Sequence, residues 1–241
     1  MAHRSHAGWP SPRVGSWRAL IAWLVGCFAV VLAGAIAVGF LLKVLERPDG
    51  STRLDSWITQ RVVAHRTDAL TSFANVLSRV GSTSVRLPVV AVVAGLLVWR
   101  RGFVLAGVLV AVWGGAIGLY DVTKAVVDRP RPPAGIRLAS AAGSSFPSGH
   151  ATQSLATYVA LAIILAAVCR PARWAGWVAA GVVAFGVGWS RVYLGMHWTT
   201  DVLAGWLIAA VWVALILRLI RPARWRAGSS DRGVGRSIGR R

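Results

Sequence analysis

Long apolar segments separated by short polar ones make up most of the chain. The first runs from Ala19 to Leu42, and the others cover residues 83–99, 103–123, 151–168, 174–189 and Val202 to Ile220. A helix rises about 1.5 Å per residue, so about 20 apolar residues cross a hydrocarbon core of about 30 Å. The pattern predicts an all-α, polytopic membrane bundle of about six transmembrane helices. The first segment is too long for a cleaved signal sequence, so we expect it to be retained.

Residues 43–82 have a different pattern. Apolar side chains recur there at three- and four-residue steps among Arg, Asp and Thr: Leu54, Trp57, Ile58, Val62, Val63, Leu70, Phe73 and Leu77. This periodicity predicts an amphipathic helix lying at the membrane interface. A helix packed on the membrane spans fits equally well, because periodicity reveals an apolar face but not what covers it.

Composition agrees with a membrane protein, since 56% of the 241 residues are apolar and 15% are charged. In a soluble protein, the net charge of +19 would suggest nucleic-acid binding. The charges instead fall mainly between apolar segments, and no basic helical stripe, finger spacing or base-stacking module is visible. The pattern therefore argues against nucleic acid as a partner.

The positions of Lys and Arg predict the orientation, because positive residues near span ends stay on the cytoplasmic side. Four regions belong together on that side: the tail with Arg4, Arg13 and Arg18, the turns with Arg100–Arg101 and Arg170–Arg173, and the tail from Arg218. Against this, residues 43–86 carry seven Lys or Arg on the opposite side. We expect a protein of the cell (inner) membrane with residues 1–18 as a cytoplasmic tail, 19–220 as a six-span domain and 221–241 as a disordered basic tail that anionic lipids attract.

This orientation places the remaining polar groups on the outer face. They are Lys124, Asp128, Arg129, Arg131, Ser148 with His150, and Arg191 with His197 and Asp201. Each charge at membrane depth costs about 2.5 to 3.5 kcal/mol, so the clustering calls for a function. Arg binds phosphate by paired donors and Lys as a point charge. Ser148, Gly149 and His150 stand where a helix begins, and free backbone N–H groups there favour an anion.

His197 and Asp201 are four residues apart, so in a helix they would share a face and the carboxylate would orient the imidazole. His197 is then a candidate nucleophile, and His150 a candidate acid for the leaving oxygen. The cations already neutralise the transferred charge, so we expect neither a metal nor another cofactor.

Three motifs occur in order. They are Lys124, six residues, Arg131-Pro132; Pro147-Ser148-Gly149-His150; and Ser190-Arg191, five residues, His197, three residues, Asp201. This arrangement resembles the tripartite signature of the type-2 phosphatidic acid phosphatase (PAP2) family, in particular its six-span bacterial membrane lipid phosphatases. The motifs cover about a third of the chain.

The resemblance implies that Lys124, Arg131, Ser148, Gly149 and Arg191 bind the phosphate. It also implies that His197 forms a phosphohistidine with the help of Asp201, that His150 is the acid, and that Ser190 is an auxiliary phosphate contact. Asp128, Arg129, Arg137, His3, His6 and His65 fall outside the motifs and are expected to be structural or solvated.

The expected activity is hydrolysis of a membrane lipid phosphate at the outer face. A polyprenyl pyrophosphate such as undecaprenyl pyrophosphate ranks first, because that carrier is recycled outside, and phosphatidic acid or phosphatidylglycerol phosphate follows. A lipid phosphotransferase and a non-catalytic lipid-phosphate binding or transport protein remain alternatives. Haloperoxidases that hold vanadate in a similar pocket are soluble, unlike this chain.

Overall fold

The computed structural model describes residues 11–12 and 16–221 of the chain, and most of this part is helical. The helices are α1 (Trp17–Val44), α2 (Arg53–Ala64), α3 (Asp68–Val80), α4 (Thr83–Trp99), α5 (Phe103–Val127), α6 (Gly149–Val168), α7 (Arg173–Tyr193) and α8 (Thr199–Leu217). Short 3-10 turns cover Ala134–Ile136 and Arg170–Ala172. Two-residue strands β1 (Ser11–Pro12) and β2 (Ile220–Arg221) pair in antiparallel fashion. The predicted all-α class is confirmed.

The described residues contain six helical segments long and apolar enough to cross a membrane, as predicted: Trp17–Val44, Asp68–Trp99, Phe103–Val127, Gly149–Val168, Arg170–Tyr193 and Thr199–Leu217. The second segment begins at Asp68 rather than at the predicted residue 83, because only Gly81 and Ser82 separate α3 from α4. Most of the two predicted tails, residues 1–18 and 221–241, lies outside the described residues.

The segment predicted as one amphipathic helix forms two helices. Thr67 begins the second, since its side chain accepts a hydrogen bond from the backbone N–H of Leu70. In α3, Ala74 is fully buried and Phe73 lies against Trp189 of α7, so this helix packs on another span rather than lying free. In α2, Leu54 and Trp57 are exposed, as expected for an amphipathic helix beside lipid.

The core of the bundle lies among α1, α5, α6 and α8. Its centre is a stripe of fully buried side chains on α5 that includes Leu109, Val112, Ala116 and Leu119. On the outside, large apolar side chains such as Val92 and Val182 are exposed. An apolar exterior suits contact with lipid chains rather than water.

One close helix contact holds α5 against α8. The Trp212 indole of α8 is buried, and its Nε1–H donates to the carbonyls of Ala111 and Val112, both 3.2 Å away. Gly115 leaves room for this ring, because a Cβ there would lie within 3 Å of three indole atoms. Small residues in membrane bundles commonly allow such close approach.

We therefore predict that Gly115→Ala destabilises the protein, because the anchored indole cannot move aside. Overpacking of this kind costs about 1 to 3 kcal/mol, so thermal unfolding in detergent should show a lower midpoint. The matched control is Gly114→Ala, since a Cβ at Gly114 meets nothing within 4 Å. That variant should be neutral or gain up to about 1 kcal/mol from helix propensity. Equal midpoints for the two variants would contradict the contact.

Candidate active site

Four helix ends and the loops between them meet at one end of the bundle. They are the carboxyl ends of α5 and α7 and the amino ends of α6 and α8, and the loop of residues 128–148 crosses between them. In this loop the Ser145 N–H donates to the carbonyl of Arg129, and the Ser148 N–H donates to the carbonyl of Asp201. These bonds bring the three sequence motifs together, as predicted.

The three predicted phosphate-binding cations lie close together there. Lys124, in the last turn of α5, donates from Nζ to the Ser144 carbonyl at 2.8 Å. The Arg131 guanidinium donates to the carbonyls of Gly143 and Met196 at 3.0 and 2.7 Å. Arg191 on α7 donates to Ser78 Oγ at 2.6 Å, while its buried Nε has no partner. The charge of Lys124 interacts with both arginines, so the site carries a concentrated positive charge.

The start of α6 supplies the second part of the site. Ser148 is the N-cap, and its Oγ accepts from the Ala151 N–H at 3.5 Å. Gly149 and His150 follow in the first turn, where helix geometry provides no acceptor for the backbone N–H. A Cβ at Gly149 would lie 3.0 Å from the Tyr120 ring, so glycine permits this close approach. Half-buried His150 interacts electrostatically with Lys124, Arg191 and His197.

The His197 imidazole is held by a backbone carbonyl. Its Nδ1 lies 2.8 Å from the Ser145 oxygen, which can only accept, so the proton resides on Nδ1. In the neutral ring, Nε2 therefore carries a lone pair, and it lies 3.3 Å from Nη1 of Arg131. The ring is only 4% exposed. This tautomer presents an unprotonated nitrogen to the cation cluster, as a nucleophile requires.

The expected helical pairing of His197 with Asp201 is wrong in its geometry. Trp198 is the extended N-cap of α8, so His197 precedes the helix and shares no face with Asp201. The Asp201 carboxylate is 3.7 Å from Nδ1, which is beyond hydrogen-bond distance but close enough for an ion pair when the ring is protonated. Asp201 Oδ2 instead accepts from the Trp198 N–H at 2.9 Å and from the Ser145 hydroxyl. Asp201 thus fixes the segments that hold His197 and stabilises its charged form through space.

Arg129 is the residue that the sequence motifs missed. It is fully buried, and its five N–H donors meet five acceptors. These are Glu46, Thr200, Asp201, the Gly50 carbonyl and Asp55, at 2.7 to 3.0 Å. Burial alone would lower the pKa of Arg129, but the Asp201 and Asp55 carboxylates outweigh it and raise the pKa above its usual value.

Arg129 therefore supports the site without donating into it. Its partners Glu46 and Asp55 lie more than 70 positions away in the chain, so no local sequence signal marks the network. Asp55 also accepts from the Thr200 N–H at 2.9 Å, which ties α2 to the start of α8.

The remaining predicted residues lie beside the site. Ser190 is fully buried, and its hydroxyl donates to the Val187 carbonyl of its own helix at 2.6 Å, so its auxiliary phosphate contact stays a prediction. Arg137 donates to the carbonyls of Pro132 and Ala141 and shapes the loop, as expected for a structural residue. Asp128 is exposed and His65 bonds to the Arg61 carbonyl, while His3 and His6 lie outside the described residues.

Comparison with known proteins identifies this arrangement. The family model of the PAP2 superfamily matches residues 102–225, which is half of the chain and contains all three motifs. The chain belongs to the PAP2 superfamily. It is thus a multi-pass membrane phosphatase, as predicted.

Relatives of this PAP2 phosphatase support the assignment. It is 30% identical over 167 residues to phosphatidylglycerophosphatase B of Bacillus subtilis, covering 67% of this chain and 81% of that protein. It is 32% identical over 145 residues to an undecaprenyl-diphosphatase of Sulfolobus acidocaldarius, covering 58% of this chain and 65% of that one. A crystal structure of a transmembrane PAP2-type phosphatidylglycerolphosphate phosphatase from Bacillus subtilis superimposes with a TM-score of 0.67 at 26% identity, over 77% of this chain and 93% of the other.

Arg129 does not face the cleft of this PAP2 phosphatase, but its network predicts that replacing it has a large effect on stability and activity. Arg129→Met leaves the buried carboxylates of Asp55 and Asp201 without a counter-charge, which costs about 3 to 5 kcal/mol. We expect a lower unfolding midpoint in detergent and loss of phosphatase activity. The double variant Arg129→Met/Asp55→Asn should regain part of the stability, because it removes one unpaired charge.

The neighbouring exposed Asp128 provides the control. Asp128→Asn should leave stability and activity near wild type, since asparagine accepts the left-handed backbone at this position, where φ is 45°. If Arg129→Met were as stable as Asp128→Asn, the proposed support role of Arg129 would be wrong.

A further prediction concerns the protonation of His197. Burial lowers the pKa of the His197 imidazole to about 4; Asp201 opposes this shift, while Arg191 and Arg131 add to it. The ring should therefore stay neutral, with its proton on Nδ1, from pH 7 down to about pH 5. ¹⁵N spectra of histidine-labelled protein test this, with the His197 signals assigned by their loss in His197→Asn. Titration of those signals near pH 6.5, or a proton on Nε2, would contradict the assigned state.

Proposed function

We propose that this PAP2 phosphatase removes the terminal phosphate of a membrane lipid phosphate or diphosphate through a phosphohistidine at His197. The orientation and the protonation of the His197 ring support the proposal most directly. The Ser145 carbonyl holds Nδ1–H, and unprotonated Nε2 lies beside Arg131 in a cluster of three cations. A lipid-docking protein would need the cations but not an oriented, unprotonated imidazole nitrogen.

The residues supply each part of the reaction. The lone pair of His197 Nε2 forms a bond to phosphorus, and the bond from phosphorus to the lipid oxygen breaks with its electron pair on that oxygen. Lys124, Arg131 and Arg191 neutralise the charge of the transferred group, together with the N–H groups at the start of α6. His150 donates a proton to the departing oxygen. Water then attacks the phosphohistidine, releases phosphate and restores the histidine.

The substrate class follows from the relatives and from the position of the site. One relative is named for phosphatidylglycerophosphate and another for undecaprenyl diphosphate, so both kinds of headgroup are candidates. In each, a phosphate group sits at the membrane surface on a lipid whose tail stays in the hydrocarbon. A site at the ends of α5, α6, α7 and α8 suits such a molecule. We rank the polyprenyl diphosphate first.

We infer that the site faces the outside of the cell membrane and that residues 19–220 are one catalytic unit between two cytoplasmic tails. The arginine pairs of the α4–α5 turn and the α6–α7 turn lie at the other end of the bundle from the site, and short loops rich in arginine favour the cytoplasm. This orientation exposes the site to carrier lipids that have delivered their cargo outside.

The decisive experiment measures phosphate release by purified protein from polyprenyl diphosphate, phosphatidylglycerophosphate and phosphatidic acid, in detergent with a chelator present. Wild type should release phosphate from at least one lipid and should form an acid-labile, base-stable phosphoprotein. His197→Asn should lose activity by more than about 10³-fold and form no phosphoprotein, as expected when a nucleophile is removed.

The control is His65→Ala, because His65 is an exposed histidine outside the site. That variant should match wild type. Residual activity of His197→Asn near the wild-type level would overturn the nucleophile assignment. Transfer of the phosphate to a second lipid, in place of release of free phosphate, would identify a phosphotransferase.

A further inference from the structure

An arginine outside the three motifs lies buried near the site. Arg86 is in the first turns of α4 and is 2% exposed. Its Nε donates to the Ser82 carbonyl at 3.3 Å and its Nη2 to Thr83 Oγ1 at 3.4 Å, while Nη1 has no partner. Both partners lie toward the start of α4, so the guanidinium points toward the end of the bundle that holds the site.

The charge of Arg86 has no counter-charge in the described part of the chain. No carboxylate there lies within ion-pair distance of it, and the titratable groups that act on it are the hydroxyls of Tyr158 and Tyr120. A buried charge within a membrane-spanning helix is costly unless it is paired, and such residues usually face a polar ligand or pathway. Arg86 therefore calls for an anionic or polar partner.

Helix α6, whose Tyr158 interacts with Arg86, carries further unpaired polar atoms. On α6, Gln153, Ser154 and Thr157 follow His150 at three-, four- and seven-residue steps, which places all of them on one helix face. Gln153 Oε1, Ser154 Oγ and Thr157 Oγ1 are buried and have no hydrogen-bond partner. A polar strip thus runs from the start of α6 into the bundle.

Two electrostatic interactions and one packing contact connect Arg86 to the phosphate site. Its charge acts directly on the His150 imidazole. The Tyr120 hydroxyl interacts with the Asp121 carboxylate, with the Gln153 side chain and with Arg86, and the same ring packs over Gly149. By contrast, the groups that act on His197 are Asp201, Arg191 and Arg131. Arg86 is thus associated with the acid rather than with the nucleophile.

We infer that Arg86, with Tyr120 and Gln153, forms a second anion subsite beside His150, which holds the phosphate of the leaving group when the substrate is a lipid diphosphate. The inference rests on the proposed function and adds the residues that bind the second phosphate of a diphosphate substrate. The terminal phosphate occupies the cation cluster at His197, and the second phosphate lies one position deeper, toward the lipid tail.

The chemistry explains why this subsite is selective. When Nε2 of His197 bonds to the terminal phosphorus of a diphosphate, the electron pair of the breaking P–O bond passes to the bridging oxygen. That oxygen belongs to the departing lipid monophosphate, whose negative charge grows in the transition state. When the substrate is a lipid monophosphate, the leaving group is instead the lipid alcohol. That alcohol is neutral once His150 has protonated its oxygen. A cation beside His150 therefore accelerates diphosphate cleavage specifically.

The test compares a polyprenyl diphosphate with phosphatidic acid in the same detergent. Arg86→Met should lower kcat for the diphosphate by roughly 10- to 100-fold, the size expected for a lost charged hydrogen bond, and should change kcat for phosphatidic acid by less than about threefold. Arg86→Lys should keep part of the diphosphate activity. Arg79→Gln is the control, because it removes an exposed arginine from the neighbouring end of α3, and it should change neither rate.

A binding measurement covers the case in which activity is lost altogether. Inorganic pyrophosphate should raise the unfolding midpoint of wild type more than inorganic phosphate does, since a ligand stabilises the folded state that binds it. This excess should vanish in Arg86→Met and persist in part in Arg86→Lys, while the shift caused by phosphate remains in both.

The outcomes separate the inference from the proposed function. The second subsite would be overturned if both Arg86 variants lost kcat equally on the two lipids, or if neither variant lost kcat on either lipid. It would also be overturned if pyrophosphate raised the unfolding midpoint of wild type no more than phosphate does. A wild-type protein that hydrolyses only monophosphates would also overturn it and leave the proposed function intact. Failure of wild type to release phosphate from any lipid would instead contradict the proposed function.

Discussion

The buried pairing of Arg129 with Asp201 is the interaction on which the site depends. Arg129 binds Asp201 at 2.7 Å, and Asp201 in turn accepts from the Trp198 N–H and from the Ser145 hydroxyl. Ser145 is the residue whose carbonyl orients His197. Removing a guanidinium that holds two buried carboxylates would free several segments at once. A single arginine whose five donors are all used within the protein thus determines where the nucleophile lies.

The same pairing shapes the electrostatics of the cleft. Asp201 is the carboxylate nearest His197, and Arg129 already balances its charge. Asp201 and Asp121 offset the charges of Lys124 and Arg131 only in part, so the repulsion among Lys124, Arg131 and Arg191 is relieved when a multiply charged anion enters. A site arranged in this way gains affinity for phosphate from charges that the empty protein holds at a cost. The positive charge of Arg131 and Arg191 also helps to keep the buried His197 imidazole neutral.

The sequence was sufficient for the spans and for the motif residues. Continuous apolar runs identify membrane helices, and the spacings around Lys124, Ser148 and His197 mark the residues that meet at one end of the bundle. Local pattern could not show how His197 and Asp201 are related, because that depended on whether the chain is helical at residue 197. The roles of Arg86 and Arg129 could not be predicted for another reason. Their importance comes from burial and from partners on other helices, which spacing along the chain does not encode.

The Arg129 network also crosses the boundary of the region that the family model matches. Arg129 and Asp201 lie within residues 102–225, whereas Glu46 and Asp55 come from the connection after α1 and from α2. The half of the chain that defines the family is therefore not self-sufficient. A chimaera that joins this half to the first helices of another member would need matching acids in that foreign segment. Without them, every recognisable motif would be present, and the nucleophile would still be out of place.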